Sequence, residues 1–134
     1  MIKLPAALTL VLAFSAGPAS AAVSNGTYKG DTNQDRTVHA KVKNGKIASL
    51  SFSVYTLCGI GGSGGSNTDA VAIKGVKIKK NGSYKYSEKG DSSNGKATYV
   101  LKGKVTGSKI TGSIEQFFRG GCQTFDLKFT AKRR

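Results

Sequence analysis

Tryptophan is absent from this 134-residue chain, histidine occurs once and cysteine twice. Each scarcity removes a class of chemistry. Without tryptophan the chain lacks the largest aromatic platform for stacking on sugar rings. One histidine, His39, and two distant cysteines, Cys58 and Cys122, make no recognisable metal-ligand set, so neither a metal nor a cofactor is expected. Acids are also few, seven against 21 lysines and arginines. Only Glu115 and Asp126 are placed to meet near a turn as the carboxylate pair that glycoside hydrolysis requires. No window beyond Asn25 carries helical periodicity, and no later stretch is apolar enough to cross a membrane.

The long apolar run lies at the start. Lys3 precedes apolar residues from Leu4 to Phe14, and Ala19-Ser20-Ala21 has the small-x-small pattern that signal peptidase accepts. Residues 1–21 are therefore read as a secretory signal peptide, with an apolar part too short for a spanning helix. Residues 22–134 then form a single β domain, a length that leaves no room for a second one. The expected location is secreted, extracellular or associated with the cell envelope, where Cys58 and Cys122 would pair as one disulfide. The closed loop of 64 positions stabilises by roughly 4 kcal/mol on chain-entropy reasoning.

Positive charge is what the chain has in excess. The formal net charge is +14, and +13 once Lys3 leaves with the signal. So large a surplus on so small a domain attracts anionic partners: wall polymer, acidic polysaccharide, nucleic acid or anionic lipid. Apart from Arg36, Arg119, Arg133 and Arg134, the basic residues are lysines. Lysine is a strongly hydrated point charge without the guanidinium fork, so the pattern points to diffuse binding, or to solubility, before specific readout.

The rest of the chain alternates in twos. Gly26–Thr32 reads as a first strand, followed by a polar turn at 33–35 and a strand at 36–43 with Val38, Ala40 and Val42 on one face. Asn44-Gly45 is a hairpin signal. A three-residue loop there would set Ala40 opposite Ala48 and Val38 opposite Leu50, with Ala48, Leu50, Phe52 and Val54 buried. After a glycine-rich loop at 59–65, strand character resumes at Asp69, with Val76 and Ile78 inward. Tyr84 and Tyr86 return on the inner side after Asn81-Gly82. Gly107-Ser108 makes a two-residue hairpin that pairs Val105 with Ile110, Gly103 with Gly112 and Leu101 with Ile114. A last strand from Gln123 to Ala131 places Phe125, Leu127, Phe129 and Ala131 inward. The fold class is all-β: one antiparallel meander of seven or eight strands, closed as a small barrel, with a β-sandwich as the alternative.

Two glycine motifs fail on context. Gly59-x-Gly61-x-x-Gly64 matches a dinucleotide fingerprint in spacing, but a strand follows it where a helix is needed to meet the pyrophosphate. Gly90 to Lys96 resembles a phosphate loop, yet Ala97 stands where a magnesium-binding hydroxyl belongs, so it reads as a turn. Asn25-Gly-Thr27 and Asn81-Gly-Ser83 fit the glycosylation pattern.

The lysines carry the leading expectation. Lys77, Lys79, Lys80 and Lys85 share one expected hairpin, and Lys102 and Lys104 the outward face of another. Adjacent hairpins would join them into a basic face, and the same residues also read as a merely solvated surface. The expected function is non-enzymatic binding of an anionic polymer or surface. One alternative is a small-ligand barrel lined by Tyr28, Tyr84, Tyr86 and Tyr99, with the glycine loop as lid and small inward residues leaving space. The other is a small secreted hydrolase using His39. The opening Gly26-x-Tyr28-x-Gly30, Cys58 after an apolar strand, Gly121-Cys122 and the closing Phe129-Thr-Ala-Lys132 together resemble small secreted bacterial all-β proteins, mostly uncharacterised. Many of those end in Trp-Thr-Ala where this chain has Phe129-Thr-Ala. That resemblance implies a fold and supplies no catalytic residue.

Overall fold

Eight strands follow one another in the structure, a computed structural model that describes residues 23–91 and 93–134. They are β1 (Gly26–Thr32), β2 (Thr37–Lys43), β3 (Lys46–Cys58), β4 (Ser66–Lys77), β5 (Ser83–Glu88), β6 (Thr98–Thr106), β7 (Lys109–Arg119) and β8 (Cys122–Arg133). The signal expected at 1–21 lies outside the described residues. Consecutive strands pair antiparallel except β4 with β5, and β8 returns to β1, giving one sheet in the order β4-β3-β2-β1-β8-β7-β6-β5. β1 and β2 have seven residues each, whereas β3 has 13 and β8 has 12. The longer pair outruns the shorter one and meets directly through Leu57↔Gln123 and Cys58↔Cys122. That contact closes β3-β2-β1-β8 into a four-strand barrel, with β4 flanking one side and β7, β6 and β5 the other. The Cys58–Cys122 disulfide sits at the closing point. Among the described residues, no helix is long and apolar enough to cross a membrane.

The register of the β6–β7 hairpin follows the sequence pattern, with Val105↔Ile110, Gly103↔Gly112 and Leu101↔Ile114. At β2–β3 it does not. Asn44 and Gly45 take φ of 52° and 72° and make a two-residue turn with Lys43↔Lys46 and Val42↔Ile47, a geometry whose twist matches that of the strands. Ala40 therefore faces Leu50, and Ala48 becomes the extra residue of a bulge. Ile47 is buried and Ala48 exposed, because a period-2 count carried through a bulge lands on the wrong face. Phe125 is the second correction: expected inward, it is 52% exposed. β7 slips by one residue against β6 between Tyr99 and Leu101, and nearby Asp126 has φ of 51°. Beyond that point Phe117 faces the core, while Phe125, opposite Gln116, turns outward.

The core is continuous from Tyr28 and Val38 on one side to Leu101 and Ile114 on the other. The facing glycines allow a close approach within it. A Cβ on Gly103 would stand 2.5 Å from Cζ of Tyr84, and one on Gly112 would stand 2.4 Å from the Phe129 ring. The glycines thus make room for two aromatic rings, and Tyr84 Oη donates to the Thr111 carbonyl at 2.7 Å. Tyr28 is buried as well, its hydroxyl donating to the Ser24 carbonyl at 2.5 Å.

The polar turn between β1 and β2 acts as a wedge between β3 and β8. Asn33 Nδ2 donates to the Asp126 carbonyl at 2.8 Å, and its Oδ1 accepts from the Lys128 amide at 3.2 Å. Gln34 does the same to β3, exchanging two 3.0 Å hydrogen bonds with the backbone of Tyr55. Two side-chain amides thereby satisfy backbone groups where the strands of the ring diverge before they meet at the disulfide.

Candidate anion-binding face

Apolar residues take the inward positions of each strand, and lysines fall on the alternate, outward ones. Lys85 on β5 and Lys102 on β6 are direct cross-strand partners, and Lys104 faces Ser83. Lys77 ends β4, while Lys79 and Lys80 lie in the turn leading to β5. All six are exposed. Lys77, Lys79 and Lys85 line one cleft of about 420 Å³ together with Lys74 and Tyr86. Lys102 stands across the strand from that cleft, Lys80 stays at the turn, and Lys104 extends the face along β6. Among the described residues the ion pairs are Lys96–Glu88 at 3.9 Å and Arg119–Asp69, so none of the six is neutralised by a carboxylate.

Sequence reasoning missed Lys74, which shares the cleft, and it missed a second basic row. Lys109, Lys132, Lys29 and His39 are successive register partners across β7, β8, β1 and β2. A third set, Lys43–Lys46–Lys77, crosses β2, β3 and β4. Like charges directly opposite on neighbouring strands destabilise a sheet by up to about 1 kcal/mol per pair. A surface with several such pairs has a standing electrostatic cost.

The other candidates separate on geometry. His39 is exposed on the outer face of β2, opposite Lys29 and Ser51, and no hydrogen bond among the described residues orients its ring. Glu115 on β7 and Asp126 on β8 lie between the register pairs Ile114↔Leu127 and Gln116↔Phe125, both exposed. Tyr28, Tyr84 and Tyr99 are core residues, and the space beside Gly103 and Gly112 is taken by Tyr84 and Phe129. The glycine segment is held at both ends by backbone hydrogen bonds. Gly64 donates to the Cys58 carbonyl at 2.8 Å, Cys58 to Gly65 at 2.9 Å and Gly59 to Gly121 at 3.0 Å. Within the 90–96 turn, Asp91 accepts from the Ser93 hydroxyl and from the amides of Ser93 and Asn94. The Ser93 hydroxyl bond, with those amides, holds the Asp91 carboxyl below its ordinary range.

Two further features carried no local signal. Arg119 reaches from β7 to the buried Asp69 on β4 and also donates to the Gly95 carbonyl at 3.0 Å. An apolar-lined cleft of about 690 Å³ lies on the outer face beside Val100, Phe118 and Phe125. Both depend on which strands the closed sheet brings together. Among the described residues, no group of three or more histidine, cysteine or acidic side chains is placed to hold a metal. In comparisons with known proteins the chain matches no family model, no curated protein and no solved structure.

Proposed function

We propose that this protein is a secreted, non-enzymatic basic β domain that binds anionic partners through the corner formed by β4, β5 and β6. One observation carries this: Lys77, Lys79 and Lys85 converge with Lys74 on a single cleft, Lys102 adjoins it, and no carboxylate neutralises them. Spaced negative charge is the chemistry such a surface recognises, shared by wall polymer, acidic polysaccharide, nucleic acid and anionic lipid. Lysines supply charge density without a bidentate fork, so selectivity comes from the spacing of charges on the partner. Export follows from the Lys3–Ala21 pattern, with which a disulfide is compatible. The test is retention of residues 22–134 on immobilised heparin, nucleic acid and purified wall polymer across a salt series. Retention should fall steeply with salt and fall further in a Lys77→Gln, Lys79→Gln, Lys80→Gln variant. Weak retention on all three matrices at low salt would make the charge a solubility feature and overturn the proposal.

A further inference from the structure

Among the described residues, the sheet opens between β4 and β5, with no strand ladder between them. Cys58 N–H donates to the Gly65 carbonyl, and hydrogen-bonding direction alternates along an antiparallel strand. Asn67, Asp69, Val71 and Ile73 therefore direct their backbone groups at β3, and Thr68, Ala70, Ala72 and Lys74 direct theirs to the open side. On β5 the Gly82 carbonyl accepts from Val105 N–H, which turns the groups of Lys85 and Ser87 toward the same opening. Lys79 N–H closes the connecting turn onto the Ser83 carbonyl at 2.8 Å, and no ladder forms beyond it. Two clefts lie along this seam. One is the lysine cleft described above. The other, about 280 Å³, is lined by Asp69, Ala70, Ala72, Tyr99 and Arg119 among others. Asp69 is 4% exposed and paired to Arg119 through Oδ1, while its Oδ2 has no hydrogen-bond partner among the described residues.

We infer that the β4 edge accepts an extended acidic peptide as an added strand. The main chain of Ala70, Ala72 and Lys74 supplies the ladder, and the small side chains of Ala70 and Ala72 leave space for those of the incoming strand. Lys74, Lys77, Lys79 and Lys85 select carboxylate side chains. A second copy of this chain does not fit, because edge-to-edge pairing would set lysines against lysines on a chain of net charge +14, and edge lysines are a known protection against it. This inference rests on the same basic corner as the function proposed above and names a polypeptide as its partner.

The test uses a ten-residue peptide alternating glutamate and valine, the same peptide N-methylated along its centre, and a lysine–valine control, each titrated into residues 22–134. Binding of the glutamate peptide should slow amide exchange at Ala70, Ala72 and Lys74. N-methylation should weaken it by about tenfold or more, as loss of a few ladder hydrogen bonds implies. The lysine peptide should not bind. Equal binding of the N-methylated peptide, or protection absent from Ala70, Ala72 and Lys74, would overturn strand addition. Lysine-dependent retention on heparin alongside either result would leave the broader anionic reading standing. Edge protection by the peptide without retention on any polymer would do the reverse.

Discussion

Tyr84 lies over two facing glycines, and at the scale of single residues that contact ties the core together. Gly103 and Gly112 could be paired from sequence, since the hairpin around Gly107 sets their register. The ring that fills the space between them could not, because Tyr84 arrives from a different hairpin. A Gly112→Ala substitution should cost about 1–3 kcal/mol through overpacking against Phe129 and Tyr84, read as a lower urea midpoint at unchanged slope. Burial also raises the phenol of Tyr84 well above its ordinary value of 10.0, and raises that of Tyr99 with a smaller contribution from Glu88. Below about pH 10 the phenols are protonated in folded and unfolded chains alike, and their contribution is intact. Above it the unfolded chain releases protons that the folded one retains, so stability falls as pH rises. Tyr84→Phe should therefore show a smaller loss of denaturation midpoint between about pH 9 and pH 11 than the parent chain. An equal loss would mean that Tyr84 ionises freely in the fold.

At the scale of elements, the strands themselves were legible, their limits and faces only partly so: β4 starts at Ser66, three residues before the expected Asp69. β1 spans the expected residues, and the alternation of β6 survives to its end. Ala48 and Phe125 were misplaced because one-residue slips at β2–β3 and β6–β7 reverse the parity of everything beyond them. Nothing in local composition marks those slips, which arise from how a sheet bends to close. The wedge at Asn33 and Gln34 was equally hidden, since a polar turn gives no sign of the strands it will reach. Gln34→Ala removes both hydrogen bonds to Tyr55 and one to Thr124. The expected cost is about 1–3 kcal/mol in urea unfolding. Asp35→Ala, in the same turn, provides the comparison for effects on the turn itself.

For the whole molecule, closure and charge set the behaviour. Joining β3 to β8 at Cys58 and Cys122 constrains 64 positions of chain, so reduction should destabilise by roughly 4 kcal/mol on the chain-entropy estimate, measured as the difference in unfolding free energy with and without reductant. The surplus of lysine was visible from composition, but the hairpin expected to carry Lys77, Lys79, Lys80 and Lys85 does not form, because β4 and β5 end as opposite edges of the sheet, and Lys85 pairs instead with Lys102 on β6. The row Lys109–Lys132–Lys29 was not visible, because it requires β8 to return to β1. Two basic surfaces therefore compete to explain any affinity for anions. The most direct measurement is the salt dependence of heparin affinity for three proteins: the parent, Lys77→Gln/Lys79→Gln/Lys85→Gln, and Lys29→Gln/Lys109→Gln/Lys132→Gln. The two variants carry equal charge. If the corner is the binding face, its variant loses affinity and shows a shallower slope of log affinity against log salt, while the second variant stays near the parent. Equal losses in both would show that only net charge matters, and a parent with no salt-sensitive affinity would contradict anion binding altogether.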